Sequence, residues 1–300
     1  MLTGTPYIPR TITVHLGMPD SPAPNVTVDF PSYIKNVASS EIFPTWSESS
    51  LRANIYAIVS FALNRIYTEW YRSRGYDFDI TSTTQYDQKF INNREYFENI
   101  GYLVDELFND YVQRQGSIEP LFTSFCNGTT STCDGLSQWG TVDLANNGFT
   151  PYEILQYYYG DDINIVKDAP VKPAVPSYPG IPLKFGSASN DVKSIQIFLN
   201  RISRNYPAIP KIPQADGIFD NATEAAVKVF QAVFDLAVTG IVDEATWYRI
   251  LYIYTSVKRL AELNSEGVRF EDVAPQFDEN ITIGSEGVVV QNLQYYLAVI

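Results

Sequence analysis

The stretch Leu183-Lys-Phe-Gly-Ser-Ala-Ser-Asn-Asp-Val-Lys-Ser-Ile-Gln-Ile-Phe-Leu199 decides the fold of the C-terminal part of this chain. A Gly-Ser turn leads into apolar residues at helical spacing, and the same pattern starts again at Ile281, an offset of 98 residues from Leu183. Self-similarity at such an offset marks tandem copies of one module. The sequence therefore predicts a complete module at 183–262 and the truncated start of a second at 277–300.

A proline-rich segment separates this module from the rest of the chain. Residues 168–182 contain repeated prolines and Gly180, a composition that cannot continue a helix and favours extended chain. We therefore interpret 168–182 as a linker and 1–167 as a separate N-terminal domain. Apolar residues at helical spacing predict two long helices in that domain, one from Ser47 and one over 94–115. The predicted fold class is α+β and mostly helical.

Composition excludes several classes of function. The chain has 34 acidic and 21 basic residues and a net charge of -13, which repels nucleic acid and anionic membranes. No apolar stretch is long enough for a membrane span, and no signal peptide is visible at the start, so the export route is unknown. The single histidine, His15, excludes a His-Glu-x-x-His metallopeptidase site. We interpret His15 as structural.

The C-terminal module carries an ordered series of short motifs. They are Ile195-Gln196, Asp216-Gly217-Ile218-Phe219, Ala226-Val227, Phe230-Gln231, Thr239-Gly240 and Thr246-Trp247. This series resembles the peptidoglycan-binding domain 1 family, a small three-helix module. The resemblance implies binding to cell-wall glycopeptide, with Asp216, Phe219 and Gln231 as candidate ligand contacts. For the aromatic residues taken one by one, a place in the core is the stronger interpretation.

A second set of motifs lies in the N-terminal domain. Its members are Tyr33-Ile-Lys-Asn-Val37-Ala-Ser-Ser-Glu41, Trp46, Ser50-Leu51-Arg52-Ala53, Gln85-Tyr86, Ser137-Gln138-Trp139-Gly140 and the segment from Tyr152 to Tyr159. Over residues 11–166 they resemble the SpoIID/LytB domain. The resemblance implies a lytic transglycosylase, which cuts glycan strands between N-acetylmuramic acid and N-acetylglucosamine.

The resemblance implies that Glu41 is the catalytic acid. In a lytic transglycosylase the 6-hydroxyl of the muramic acid attacks the anomeric carbon, so one carboxyl serves as both acid and base. Such a carboxyl needs an apolar setting, which Ile42, Phe43, Pro44 and Trp46 can supply. The alternative for Glu41 is a surface carboxylate near a helix start. Hydroxyl, amide and aromatic groups that can hold sugars are predicted at Gln85, Tyr86, Ser137, Gln138 and Trp46.

The chain departs from the SpoIID/LytB pattern at three places. Val59 stands where the family helix usually carries Arg. The family's Gly-Gly-Arg-Thr stretch is replaced by Cys126-Asn-Gly128-Thr129-Thr130, and the histidine that the family has shortly before the Ser-Gln pair is absent before Ser137. These departures keep a second interpretation open, in which the chain is a non-catalytic cell-wall or spore peptidoglycan-binding protein on a degenerate SpoIID scaffold.

Cys126 and Cys133 are the only cysteines of the chain. A disulfide between them would stiffen the loop and suit an extracellular setting. Zinc at the two cysteines is an alternative that needs further ligands, and free thiols are a third. Apart from that zinc alternative, no cofactor is expected.

The sequence thus predicts a peptidoglycan lytic transglycosylase that its binding module tethers to the wall. The predicted location is the cell wall, a spore or the extracellular space. Partner cell-wall enzymes are a further prediction. A lysin subunit delivered without a signal peptide is a third hypothesis beside the binding protein.

Overall fold

A computed structural model describes residues 2, 4–273, 282, 283 and 290 of the chain. These residues form an α+β fold that is mostly helical, which confirms the predicted fold class. The helices are α1 (Phe30–Glu41), α2 (Glu48–Tyr67), α3 (Glu98–Leu107), α4 (Gln138–Asn146), α5 (Pro151–Tyr159), α6 (Asn190–Ile202), α7 (Asn221–Val233) and α8 (Glu244–Val257). The second repeat predicted at 277–300 lies outside the described residues, apart from 282, 283 and 290.

Four small sheets accompany the helices in the described part of the chain. Their strands are β1 (Ile8–Pro9), β2 (Thr11–His15), β3 (Asn25–Asp29), β4 (Ile80–Thr81), β5 (Tyr111–Arg114), β6 (Phe125–Cys126), β7 (Leu136–Ser137), β8 (Ile163–Val166) and β9 (Val171–Lys172). Strand β2 pairs antiparallel with β3 and parallel with β4, β5 pairs antiparallel with β8, and two parallel pairs join β1 to β9 and β6 to β7.

Helix α2 is the centre of the N-terminal region. Buried residues occupy all of its sides, including Leu51, Val59 and Leu63 of the predicted stripe. A helix that is apolar all round must be covered on every face. Helices α1, α3, α4 and α5 pack around it. His15 is buried in β2, and its Nδ1 lies 2.8 Å from the Asn25 side-chain oxygen on the neighbouring strand. This position fits the structural role predicted for His15.

The helix predicted over 94–115 is shorter than the sequence suggests. Helix α3 covers only Glu98–Leu107, and Tyr111–Arg114 form strand β5 instead. Tyr111 and Val112 are aromatic and β-branched, and they gain a full strand partner in Ile163–Val166. That partner lies about fifty residues further along the chain, so helical periodicity alone cannot reveal it.

The C-terminal module has three helices with matching starts. Ser189, Asp220 and Asp243 each cap one helix by accepting a hydrogen bond from a backbone N–H in its first turn. Apolar side chains of all three helices form the buried centre of the module. The three-helix prediction for this region is therefore confirmed.

Two buried glutamines hold the turns between these helices. Gln196 donates from Nε2 to the Ile218 carbonyl and accepts at Oε1 from the Gly217 N–H, both at 2.9 Å. Gln231 does the same one helix later, with the Ile241 carbonyl and the Gly240 N–H, again both at 2.9 Å. Each amide thus satisfies a donor and an acceptor of a buried turn, which leaves neither backbone group unpaired.

The predicted linker is extended but is not loose chain. Its strand β9 pairs with β1 at the start of the protein. Ser177 donates its N–H to Glu69 at 2.9 Å, and its hydroxyl accepts from Nε1 of the buried Trp247 at 2.9 Å. The segment therefore joins helix α8 to the N-terminal region through side-chain contacts.

The chain after α8 also packs on the N-terminal region. Asn64 donates from Nδ2 to the Leu260 carbonyl at 2.8 Å, and Glu119 accepts from the Val268 N–H at 2.7 Å. Burial raises the pKa of Glu119, while the hydrogen bonds from Val268 and Ser265 oppose that shift. Buried apolar residues of both regions form one continuous cluster. The module is consequently docked on the N-terminal region in addition to being connected to it.

Candidate functional site

Glu41 lies where the end of helix α1 meets the loop that carries Lys89 and the start of helix α4 at Gln138. It is the last residue of α1 and is half-buried, with Oε1 accepting from the Lys89 N–H at 2.8 Å. Its other oxygen, Oε2, accepts from Gln138 Nε2 at 3.3 Å. The alternative interpretation of Glu41 placed it near a helix start, and this is wrong. The carboxyl sits at the C-terminal end of a helix, where the helix dipole is negative.

Three aromatic side chains stand next to these residues in the chain and contact one another. Phe43 follows Glu41 by two residues, and Trp139 directly follows Gln138. The ring centroids of Trp46 and Trp139 are 5.0 Å apart, and Phe43 lies 5.7 Å from each of them. Phe43 is 54% exposed and Trp139 is 38% exposed. We call Phe43, Trp46 and Trp139 the aromatic face.

Ser137 and Gln138 reach the site in different ways. Ser137 caps α4, its hydroxyl accepting from the Gly140 N–H at 3.0 Å. Gln138 is only 3% exposed, so a buried amide donates to the Glu41 carboxyl. Gly128, with φ +86°, allows the loop to pass so close to Ser137 that a Cβ there would overlap its hydroxyl. Only glycine fits that approach.

The loop carrying Gln85 and Tyr86 joins the site through its backbone. Both side chains are exposed, and in the described part of the chain neither makes a hydrogen bond with Glu41. The loop is anchored by Asp87, which is buried beside Arg65. Two residues later the Lys89 N–H reaches Glu41, so the structure brings the loop to the site but does not bring the side chains of Gln85 and Tyr86 to the carboxyl.

Cys126 and Cys133 form a disulfide in the structure. The bonded sulfurs leave no thiolate for zinc, so the zinc and free-thiol alternatives do not describe this state. Across residues 2, 4–273, 282, 283 and 290, no group of three or more His, Cys, Asp or Glu side chains is placed to hold a metal ion. Cys126 pairs with Ser137 in the β6–β7 sheet, and the Asn127 carbonyl accepts from the Trp139 N–H at 3.2 Å. The disulfide loop therefore supports Ser137 and Trp139.

Removal of this disulfide tests its supporting role. We expect the double variant Cys126→Ser, Cys133→Ser to unfold in urea with a free energy lower by about 2 kcal/mol, because the denatured chain is no longer cross-linked. Dithiothreitol should lower the stability of the wild type by a similar amount and leave the double variant unchanged. Equal stability of wild type and variant, with and without reductant, contradicts the prediction.

The candidate contacts of the C-terminal module are mostly internal. Phe219 and Gln231 are each 1% exposed, and the side-chain amide of Gln231 is hydrogen-bonded to the Gly240 N–H. Asp216 is exposed and accepts from the Ile218 N–H at 2.9 Å within its own turn. These positions favour structural roles for Phe219 and Gln231, and Asp216 alone offers a carboxylate to solvent.

Two aromatic residues of the site were not predicted from the sequence to bind sugar. Phe43 was expected only to contribute to an apolar setting for Glu41, and Trp139 appeared within a motif without a role of its own. The feature that could have identified both residues is their place in the sequence, since each lies within two residues of a group that holds or forms the candidate acid.

None of the helices within the described residues has both the length and the apolar character that a bilayer crossing requires.

Comparisons with known proteins identify one part of the chain. Residues 188–250, which span α6, α7 and half of α8, match the family model PG_binding_1, described as "Putative peptidoglycan binding domain". No curated protein and no solved structure matches the chain. The C-terminal module is therefore similar to this peptidoglycan-binding family over residues 188–250. The resemblance of residues 11–166 to the SpoIID/LytB domain receives no support from these comparisons and stays a prediction.

Proposed function

We propose that this chain is a cell-wall protein that holds peptidoglycan through its C-terminal module and contacts the glycan with the aromatic face of its N-terminal region. The match of residues 188–250 to a peptidoglycan-binding family carries the proposal. Location at the cell wall follows from that binding. Partner cell-wall enzymes stay a prediction.

The aromatic face has the properties of a sugar platform. Its rings are partly exposed and held in fixed mutual orientation, with the Trp46 and Trp139 planes at 61°. Rigid aromatic rings with one free face can stack on the apolar faces of pyranose rings. The Glu41 carboxyl and the Ser137 hydroxyl each lie two residues in sequence before one of these rings, Phe43 and Trp139, and supply polar groups for sugar hydroxyls.

Replacement of one exposed ring tests this platform. We expect Trp139→Ala to weaken binding of peptide-free glycan strands about tenfold, the effect of losing roughly 1–1.5 kcal/mol of stacking. Affinity electrophoresis or calorimetry with purified glycan strands measures the change. Phe149→Ala is the matched control, because Phe149 is similarly exposed at 37% but lies beyond the other end of α4. Equal binding by Trp139→Ala and wild type contradicts the assignment.

A second candidate function is glycan cleavage on a SpoIID-like scaffold, and the setting of Glu41 favours it. The carboxyl is half-buried, held on both oxygens and two residues before Phe43 of the aromatic face. In this mechanism Glu41 donates its proton to the leaving glycosidic oxygen as the bond to the anomeric carbon breaks. The 6-hydroxyl of the muramic acid forms the new bond to that carbon and returns a proton to Glu41, which gives a 1,6-anhydro end.

Positioning in this mechanism falls to the groups that hold the carboxyl. The Lys89 N–H and Gln138 Nε2 fix the plane of the Glu41 carboxyl by contacting different oxygens. A fixed orientation is what an acid needs to meet one particular glycosidic oxygen. The departures from the SpoIID/LytB motifs, such as Val59 in the fully buried core, separate this chain from the family pattern and favour the binding function as the first candidate.

A further inference from the structure

A cleft of about 970 Å³ opens between the two regions of the protein. One wall is the turn at residues 72–77 of the N-terminal region, and the other is the exposed side of helix α8. Its volume falls at the upper end of the range of about 300–1,000 Å³ that is usual for ligand pockets. Because the walls belong to different regions, the cleft exists only through the docking described above.

Arg74 is the central cation of this cleft. Its guanidinium lies 3.5 Å from the ring centroid of Trp70 and 4.4 Å from that of Tyr252. Its Nη1 donates to the Trp70 carbonyl at 2.6 Å, and within the described residues no carboxylate pairs with it. Burial lowers the pKa of Arg74 to about 10, so the group stays positive at neutral pH. A partly buried cation without a counter-ion favours an anionic ligand.

Arg249 adds a second positive charge to the same cleft. It is exposed on α8, one turn before Tyr252, and it forms no ion pair in the part of the chain that the structure describes. Arg72 differs from both, because its Nε pairs with Asp79 at 2.9 Å. Two arginines of the cleft are thus left for a ligand, in a protein whose net charge is -13.

The acidic groups of the cleft shape the kind of anion that fits. Asp243 caps α8 by accepting from the Thr246 N–H at 2.9 Å, and Asp77 accepts from Asn25 at 2.7 Å. Glu244 is exposed at the rim and has no ion pair among the described residues. A ligand with carboxylates and an amino group matches two arginines and one glutamate better than a chain of phosphates does, because the acidic side chains repel repeated negative charge.

Tyrosine rings supply the apolar part of the site. Tyr76, Tyr248 and Tyr252 all line the cleft, and each is only partly buried. Such rings offer an apolar face to a sugar ring or an aliphatic side chain, and the Tyr76 ring is held by its hydroxyl, which donates to Asp20 at 2.6 Å. The lining therefore combines stacking surfaces with charged groups of both signs.

We propose that this cleft binds the peptide stem of peptidoglycan. The stem carboxylates contact Arg74 and Arg249, the free amino group of the stem meets Glu244, and the tyrosines take the adjoining apolar groups. The inference rests on the proposed wall-binding function and names the part of the wall that the docked pair of regions recognises. The aromatic face contacts glycan and the cleft contacts peptide, so the two surfaces bind different parts of the polymer.

Calorimetry with the full chain tests the cleft. The probes are a soluble disaccharide-peptide fragment of peptidoglycan and the same disaccharide without its peptide. We expect wild type to prefer the peptide-bearing fragment, and Arg249→Ala to weaken its binding about tenfold without changing binding of the bare disaccharide. Arg10→Ala is the matched control, because Arg10 is also exposed and lies away from the cleft. Tyr248→Ala provides a second variant that should weaken the same probe.

The outcomes separate this inference from the proposed function. Equal affinity of wild type for the two fragments, or unchanged binding of the peptide-bearing fragment by Arg249→Ala and Tyr248→Ala, overturns the cleft assignment while binding to whole sacculi persists. Tighter binding of a glycerol phosphate polymer than of the peptide-bearing fragment also overturns it. Failure of wild type to bind sacculi contradicts the proposed function itself, and the cleft assignment with it.

Discussion

We expect Asp87→Ala to lower the free energy of unfolding by about 3–5 kcal/mol, because it leaves a buried cation without its counter-ion. Asp87 accepts from Arg65 Nε at 2.8 Å and from the Tyr71 hydroxyl at 2.5 Å. It also accepts from the Thr81 N–H at 2.9 Å and the Thr81 hydroxyl at 2.7 Å. In the alanine variant all of these donors stay buried without an acceptor.

Urea unfolding followed by tryptophan fluorescence measures this loss. Asp105→Ala is the control, since Asp105 pairs with Lys35 at the surface and is 57% exposed. Its expected loss is below about 1 kcal/mol. A loss for Asp87→Ala no larger than that of the control contradicts the network's role. Because Asp87 anchors the loop that brings the Lys89 N–H to Glu41, the variant should also weaken glycan binding at the aromatic face.

Glu41→Gln should have a large effect on glycan cleavage. If the chain cuts glycan, we expect release of 1,6-anhydro fragments from purified sacculi to fall at least about 100-fold, the contribution of a positioned acid and base. The amide keeps an oxygen to accept from the Lys89 N–H, so the fold and the binding to sacculi should persist. Mass spectrometry of the soluble fraction measures the anhydro ends.

A surface glutamate provides the control for that experiment. Glu48→Gln changes a side chain that is 67% exposed and paired with Arg52 at the start of α2, and it should leave release unchanged. Undiminished release by Glu41→Gln contradicts the role of Glu41. Absence of anhydro fragments from wild type contradicts cleavage altogether and leaves the peptidoglycan-binding function.

The C-terminal module could be predicted from sequence because its information is local. The helix starts at Ser189, Asp220 and Asp243 and the Asp-Gly turn at 216–217 are each determined by neighbouring residues. The matching roles of Gln196 and Gln231 reflect the same short-range pattern repeated within the module. Their structural use also explains why motif residues of this kind do not by themselves reveal a ligand surface.

The N-terminal site could be predicted only in part. The resemblance to the SpoIID/LytB domain singled out Glu41 and Gln138, whose side chains contact across 97 positions of sequence. The support of that contact by Lys89 depends on the buried Asp87–Arg65 pair, which no periodic pattern marks. The turn of Tyr111–Arg114 into a strand likewise depends on a distant partner, Ile163–Val166. Long-range pairing decides these features, and local sequence carries little information about it.

The docking of the two regions was also outside the reach of sequence reasoning. A proline-rich segment predicts extended chain, and it does not tell whether that chain is free or held. The contacts of Ser177 with Glu69 and Trp247 are made by single side chains with no recognisable motif. The cleft beside Arg74 is a consequence of that docking, so it could be found only in the folded protein.

Co-sedimentation of the wild-type chain with purified peptidoglycan sacculi measures directly whether this protein binds the cell wall. We expect saturable binding that soluble peptidoglycan fragments displace and that cellulose does not. If the chain stays in the supernatant at every sacculus concentration while circular dichroism shows it folded, it is not a peptidoglycan-binding protein.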